Sequence, residues 1–247
     1  MNRQLVAIIP ALNPTNQLID YTKQLLQSDF PAVVIVNDGS EPNRRHIFAQ
    51  LNEIDGVTVL QHDVNFGKGR ALKTAFHYCL SHFPDKLGVV TADADGQHAI
   101  DDVCNVSSHF AQHPTRLVLG VRDFSKEDVP KKSYLGNVIC TNLFYFLFGK
   151  KLPDTQTGLR AIPMKLLRDL VSLKGDRYEY EMNMLIYAIK RNVPIDEVTI
   201  KTIYYNNNEA TYFKAIRDSF EILKKLAIGF FHFSSQFKNE SQIGDYK

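Results

Sequence analysis

The stretch that decides the fold is residues 87–98, LGVVTADADGQH. Its first half is a short apolar run rich in β-branched residues, which is typical of a strand buried on both faces. Its second half places Asp93 and Asp95 one residue apart and follows them with Gly, Gln and His. Open α/β sheets bind ligands at the edge where their strands end. The stretch therefore predicts an α/β sheet with an acidic site at the end of one strand.

The sequence on both sides of this stretch alternates short β-branched runs with longer amphipathic segments, as βαβ units around a mostly parallel sheet do. Strands are predicted at 5–9, 32–36, 57–60, 87–91 and 116–120. Helices are predicted, from apolar residues three or four apart, at 15–27, 43–52, 68–81 and 100–112. Farther along we predict a polar loop at 121–132, a helix at 133–148, a loop at 154–158, a helix at 178–191, a strand at 195–200 and an amphipathic helix at about 212–233. We expect one domain over 1–237 and a flexible tail at 238–247.

The overall composition is that of a globular protein with almost no net charge. The 247 residues are 44% hydrophobic and 23% charged, enough to bury a sizeable core, and the net charge of +2 gives no reason to expect nucleic acid as a partner. Three cysteines without CxxC spacing disfavour a disulfide framework or a zinc knuckle and favour a reducing, cytoplasmic compartment. No run approaches the ~18 apolar residues of a membrane span, so we expect nothing in this sequence to cross a bilayer.

The acidic loop after the predicted central strand offers ligands for a divalent cation. Asp93, Asp95 and Gln97 supply hard oxygens to an ion such as Mg²⁺ or Mn²⁺ and leave positions open for diphosphate oxygens. A polar turn before the next helix explains an isolated DxD tripeptide equally well. The position of this one after a buried-type strand, among three other ligand-like loops, favours the metal site.

Two further loops are expected at the same edge of the sheet. Residues 37–40, NDGS, place Asp38 where a carboxylate can accept from a ribose hydroxyl or a base N–H, although an Asx turn explains the same residues. Residues 65–70, NFGKGR, open a helix whose N-terminus and Lys68 favour an anion. Neither the GxGxxG nor the GxxxxGK[ST] spacing is present, which disfavours a Rossmann dinucleotide site and a P-loop kinase.

Taken together, these motifs resemble glycosyltransferase family 2, whose members use nucleotide-diphosphate sugars. The resemblance covers nearly the whole chain, through IPALN (9–13), VNDGS (36–40), NFGKG (65–69) and, most sharply, DADGQH (93–98). The last motif looks like the polyprenol-phosphate glycosyltransferase branch, and so do GVR (120–122), DTQTGLR (154–160) and RYEYEM (177–182). The implied fold is α/β, the GT-A fold, with a mostly parallel central sheet flanked by helices.

The resemblance also implies roles for the matching residues. On the donor side, Asp38 contacts the nucleoside of a UDP- or GDP-linked sugar, and the residues expected around the donor are Pro10, Ala11, Leu12, Asn13, Asn65, Gly67 and Lys68. Asp93, Asp95 and Gln97 hold Mg²⁺ or Mn²⁺ together with the donor diphosphate. Arg122 and Arg160 bind phosphate, that of an acceptor lipid in particular.

The implied reaction is an inverting transfer of a hexose to a polyprenyl phosphate, an acceptor that is already an anion and needs no general base. A family 2 enzyme acting on a sugar or polymer hydroxyl is the alternative, and it needs a base, for which Asp154 and Glu181 are the candidates. Asp154 can equally serve only to orient Arg160. The intact acidic motif argues against a non-catalytic nucleotide- or lipid-binding protein, and the lack of a glycine-rich first loop argues against a sugar-nucleotide pyrophosphorylase.

The surface expected to meet the acceptor is basic. Between 116 and 151 there are seven Lys or Arg residues and three acids, which suits an anionic surface or a phosphate. The apolar cluster at 144–148 and the stripe on the helix at 212–233 are each compatible with peripheral contact at the cytoplasmic face of a membrane or with packing against the sheet. We expect 121–132 to be a mobile lid that excludes water from the bound substrate.

Overall fold

The computed structural model of the chain describes residues 2–122 and 131–201. Within them, seven strands form one sheet: β1 (Leu5–Ala11), β2 (Val33–Asp38), β3 (Val57–His62), β4 (Gly88–Thr91), β5 (Leu117–Arg122), β6 (Arg160–Pro163) and β7 (Ile195–Ile200). The α-helices are α1 (Gln17–Gln27), α2 (Arg45–Asn52), α3 (Lys68–His82), α4 (Ile100–Gln112), α5 (Lys131–Phe148), α6 (Met164–Leu170) and α7 (Glu179–Lys190). Short 3₁₀ helices cover Asn2–Gln4 and Pro42–Arg44.

The sheet is mostly parallel, with one strand reversed. Its strand order is β3-β2-β1-β4-β6-β5-β7. β1 pairs in parallel with β2 and β4, β2 with β3, and β5 with β7, whereas β6 runs antiparallel to β4 and β5. All strands except β6 therefore end at one edge, which gathers the loops that follow them.

Apolar side chains cover both faces of the sheet. Along β1, Val6 and Ile8 pack into a cluster with α3, α6 and α7, while Leu5, Ala7 and Ile9 pack into a second cluster with α1, α2 and α4. Each fully buried side chain of this size contributes roughly 1.5–3 kcal/mol to folding. The alternation fixes the register of β1 and, with it, the place where the loop after β1 begins.

Several strands run farther toward the ligand-binding edge than the sequence predicts. β2 reaches Asp38 and β5 reaches Arg122, because ladder pairing continues to Asp38 opposite His62 and to Arg122 opposite Ile200. The prediction that a loop begins at 121 is therefore wrong, since Arg122 lies on a strand. At the other end of that predicted loop, Lys131 already belongs to α5. Residues 123–130 lie outside the described residues.

β6 and α6 were not predicted from the sequence. β6 has only four residues and begins with Arg160, a residue type rarely found fully buried. α6 does carry an apolar spacing, with Met164, Leu167 and Leu170 all buried, but it is only seven residues long. The short length of both elements explains why they escaped detection.

The apolar cluster at 144–148 divides between the interior and the surface. Phe144 is fully buried, whereas Tyr145 is 53% and Phe146 83% exposed. In the described parts of the chain, every helix is too short or too polar to span a membrane. The helix expected at 212–233 and the tail at 238–247 lie outside the described residues, and the single domain over 1–237 stays a prediction.

Candidate active site

The candidate site lies where β4 ends and the acidic loop begins. Thr91, the last residue of β4, donates from its hydroxyl to the carbonyl of Gly158 at 2.7 Å. A Cβ on Gly158 would lie 2.5 Å from Oδ2 of Asp93. Only glycine allows this approach, so the 154–158 segment and the acidic loop form one site.

Asp93 is the centre of a charge network. Lys68 Nζ lies 2.7 Å from Asp93 Oδ1 and 3.0 Å from Oε2 of Glu181, and His98 Nε2 lies 3.2 Å from Asp93 Oδ2. Enclosure by the protein would raise the pKa of Asp93, but the attraction of Lys68 and the hydrogen bond with His98 outweigh it and hold that pKa well below its usual range. Burial alone would lower the pKa of Lys68, but the charges of Asp93 and Glu181 outweigh burial and raise that pKa above its usual range. Both partners are therefore charged at neutral pH.

Asp95 differs from Asp93 in its electrostatic environment. It lies at the exposed rim of the loop and accepts a hydrogen bond from the backbone N–H of Gln97 at 3.1 Å. Partial loss of its surrounding water and the negative charge of Asp93 raise the pKa of Asp95. The two carboxylates thus repel one another, and a positive charge brought to Asp95 would relieve that repulsion.

Arg122 and Asp154 form a second ion pair at this edge. Arg122 Nε and Nη2 donate to the two oxygens of Asp154 at 2.6 and 2.9 Å, the bidentate geometry that suits a guanidinium. Asp154 is fully buried. Burial alone would raise the pKa of Asp154, but Arg122 and backbone N–H donors outweigh it and lower that pKa. The hydrogen-bonded arginine partner of Asp154 is therefore Arg122, whereas the alternative left open by the sequence had Asp154 orienting Arg160.

Arg160 occupies the interior beneath the site. It is 1% exposed, and its guanidinium donates to the carbonyls of Glu181 at 2.6 Å, Thr157 at 2.9 Å and Thr155 at 3.4 Å. Burial lowers the pKa of Arg160, against the opposing charges of nearby carboxylates. Arg160 is thus committed to backbone acceptors that tie the 154–158 segment to α7. The structure therefore places the Arg160 guanidinium beneath the site and not on its surface, and the binding of one phosphate by Arg122 and Arg160 together stays a prediction.

The remaining predicted donor-side residues lie at the ends of β1 and β2 and in the loop before α3. Asp38 is 3% exposed, and its carboxylate is hydrogen-bonded to the His62 ring and to the N–H groups of Phe66 and Gly67. Asn13 joins the first two loops, since its N–H donates to the Ser40 hydroxyl at 2.8 Å and its side-chain oxygen accepts from the Glu41 N–H at 2.7 Å. Pro10 and Ala11 lie on β1, Leu12 follows them, and Asn65 is exposed just before Gly67, the N-cap of α3.

Two site residues were absent from the predicted set. His98 was visible as the last residue of the acidic motif, and a histidine five residues after Asp93 can reach back to it across a loop. Gly158 lies in the quoted 154–160 motif, but nothing in the sequence set it apart from its neighbours, because its importance comes from a tertiary contact with Asp93.

The sequence that contains most of these site residues matches a known family. Residues 6–171 match the model of "Glycosyl transferase family 2", and this match spans more than half of the chain. The chain belongs to glycosyltransferase family 2. It is a glycosyltransferase, and the predicted family is confirmed.

Two relatives agree with this assignment. A UDP-N-acetylglucosamine–dolichyl-phosphate N-acetylglucosaminyltransferase of Methanococcus voltae is 31% identical over 222 residues, 82% of this chain and 87% of the relative. A dolichyl-phosphate beta-glucosyltransferase of Saccharomyces cerevisiae is 24% identical over 253 residues, 91% of this chain and 73% of the relative. Both names are consistent with the polyprenol-phosphate branch.

Among solved structures, glucosyl-3-phosphoglycerate synthase from Mycobacterium tuberculosis, in complex with Mn²⁺, UDP and glucosyl-3-phosphoglycerate, superposes with a TM-score of 0.63 at 16% identity. The superposition covers 89% of this chain and 78% of the synthase. The likeness confirms the predicted GT-A fold.

Proposed function

We propose that this family 2 enzyme transfers a hexose, with inversion, from a UDP- or GDP-linked sugar to a polyprenyl phosphate. The observation that carries the proposal is the network around Asp93, in which two carboxylates, Lys68 and the start of α3 meet at the sheet edge. The dolichyl-phosphate activities named for the relatives support the acceptor class. A lipid acceptor also implies peripheral contact with a membrane.

A divalent cation fits the acidic loop. Asp93, Asp95 and Gln97 would hold Mg²⁺ or Mn²⁺, since carboxylate and amide oxygens are hard ligands. Partial desolvation and the charge of Asp93 raise the pKa of Asp95, and a bound cation would offset the repulsion between the two carboxylates. In residues 2–122 and 131–201, no three His, Cys, Asp or Glu side chains are grouped as a ready-made metal cage. A bound ion would stabilise the negative charge of the departing nucleoside diphosphate.

Lys68 is the residue of this chain best suited to the donor diphosphate. Lys68 is the first residue of α3 and carries an ammonium group, and the N-terminal N–H groups of that helix also favour an anion. In the structure it is held between Asp93 and Glu181. We infer that a bound diphosphate shares this ammonium with the two carboxylates.

The two candidate bases argue for an anionic acceptor. Asp154 is paired with Arg122 on both oxygens and its pKa is lowered, which makes it a poor proton acceptor at neutral pH. Glu181 is 7% exposed and paired with Lys68. A phosphate acceptor needs no proton removed, so the geometry favours it over the hydroxyl acceptor of the alternative reaction.

A thermal-shift panel tests the donor side of this proposal. A ligand that binds only the folded protein raises the melting temperature by mass action. UDP, GDP, UDP-glucose, UDP-N-acetylglucosamine and GDP-mannose should be compared with and without Mn²⁺. We expect the nucleotides of one nucleobase, uracil or guanine, to raise the melting temperature, and to raise it further with Mn²⁺. Asp95→Asn should abolish the additional rise that Mn²⁺ causes. No shift with any nucleotide would contradict the proposal.

A further inference from the structure

Both oxygens of the Asp38 carboxylate are hydrogen-bonded to groups of the protein itself. Its Oδ1 accepts from the N–H of Phe66 at 3.0 Å and bonds with His62 Nδ1 at 2.7 Å, and its Oδ2 accepts from the N–H of Gly67 at 2.8 Å. Hydrogen bonds to an ionised acceptor are about twice as strong as neutral ones. At 3% exposure, Asp38 is turned toward the loop before α3.

His62 and Thr74 extend this contact into a buried chain. The second ring nitrogen of His62 lies 2.9 Å from the hydroxyl of Thr74 on α3. His62 is itself 9% exposed and ends β3, directly opposite Asp38 in the ladder. The imidazole is therefore fixed from both sides, and it fixes the Asp38 carboxylate in turn.

Backbone geometry in the loop after β2 and in the loop before α3 requires this close fit. Gly39 has φ of 70°, and a Cβ there would overlap the backbone of Val64 and Asn65. Gly67 has φ of 107° and is the N-cap of α3, although no side chain caps that helix. Asp38 thus bonds to the amide of the residue immediately before Lys68.

We propose that Asp38 and His62 are positioning residues that act through the amides of Phe66 and Gly67 to aim Lys68 at Asp93 and Glu181. This assignment rests on the proposed donor role of Lys68 and differs from direct contact between Asp38 and the nucleoside. Loss of either residue should loosen the start of α3 and weaken use of the donor through Lys68.

Amide hydrogen exchange on the full chain tests the proposal without any substrate. In Asp38→Asn and His62→Leu, exchange at Phe66 and Gly67 should quicken by roughly tenfold or more, the loss expected for a charge-assisted hydrogen bond. Asp196→Asn is the matched control, because Asp196 is also paired with a histidine, His109 at 2.9 Å, but on β7. That control should leave both amides unchanged.

A double-mutant cycle with Lys68 tests the functional part. If Asp38 acts through Lys68, Asp38→Asn should lower kcat/KM for the nucleotide sugar by roughly tenfold in the wild type and by less than about twofold in Lys68→Met, because residues acting as one unit are not additive. Equal losses in both backgrounds would overturn the proposal. The proposal would also be overturned if Asp38→Asn bound the nucleoside more weakly while its Phe66 and Gly67 amides stayed protected from exchange and His62→Leu bound the nucleoside as the wild type does.

Two safeguards keep the outcomes separate. If Asp38→Asn fails to fold, His62→Leu and Thr74→Val carry the exchange test, and unchanged exchange at Phe66 and Gly67 in both would overturn the proposal. If the wild type turns over no nucleotide sugar, the proposed function fails while the exchange result still decides whether Asp38 holds the loop.

Discussion

At the scale of single residues, neighbouring charges give two similar carboxylates different properties. Asp93 is held ionised by Lys68 and His98, while Asp95 is pushed toward its neutral form by partial desolvation and by Asp93. The sequence indicated that both belong to a ligand site. It could not assign their partners, because Lys68 and Glu181 reach Asp93 only through the fold.

Asp95→Asn should separate activity from stability. Removing one of two repelling carboxylates at an exposed rim should leave the melting temperature within about 2 °C, as exposed substitutions usually cost under ~0.5 kcal/mol. Transfer should fall by at least about 100-fold if the charge supports a catalytic cation. Asp101→Asn, an exposed acid at the start of α4, is the control, and equal activity of the two variants would exclude this role for Asp95.

Arg122→Lys should show that the guanidinium geometry matters. A lysine cannot make both bonds to the buried Asp154, so we expect a loss of roughly 1–3 kcal/mol in unfolding free energy. Because the family resemblance implies that Arg122 binds the acceptor phosphate, we also expect a raised KM for the lipid phosphate. Arg116→Lys is the matched control, since Arg116 makes a single 2.8 Å bond to Asp196 and is 44% exposed. Urea unfolding and acceptor kinetics on both variants check this, and a similar small loss in each would refute it.

At the scale of elements, the sheet positions the site by extending its strands to the functional residues. Asp38 and Arg122 end β2 and β5 instead of lying in loops. Short β-branched runs predicted that these strands exist, but not where they end, because ladder pairing with β3 and β7 keeps the polar residues at their ends in the strands. The short reversed strand β6 was also missed because it begins with a charged residue. Arg160 can be buried there because its guanidinium donates hydrogen bonds to the backbone carbonyls of Thr157 and Glu181, which the sequence does not reveal.

Gly158→Ala should damage the site through the contact between two segments. The added methyl would meet both Asp93 oxygens, so Asp93 must shift away from Lys68 or the 154–158 segment must move. We expect transfer to drop by at least about tenfold, since misplacement of about 1 Å can cost far more. Gly120→Ala is the control, because its methyl would meet the side chains of Leu159 and Ile200 instead. Comparable activity at matched melting temperatures would contradict the expectation.

At the scale of the whole molecule, acid should weaken the fold partly through the site. The pKa of Asp154 is lowered in the folded state, so its contribution is present above the unfolded pKa of about 4 and is lost as pH falls through the lower folded value. Asp154→Asn should therefore be less stable than wild type at pH 7, with the difference shrinking toward pH 3. Urea midpoints across that range measure it, and a constant difference would show that Asp154 does not titrate in this way.

The central claim, a hexosyl transfer to a polyprenyl phosphate, is tested most directly by comparing acceptors that differ only in the phosphate. Radiolabelled nucleotide sugars of the base selected by thermal shift should be incubated with Mn²⁺ and either undecaprenyl phosphate or undecaprenol, and the organic phase counted. We predict label in the lipid fraction with the phosphate and none with the alcohol, lost in Asp95→Asn. Transfer to undecaprenol or to a water-soluble sugar, with none to the lipid phosphate, would contradict the account.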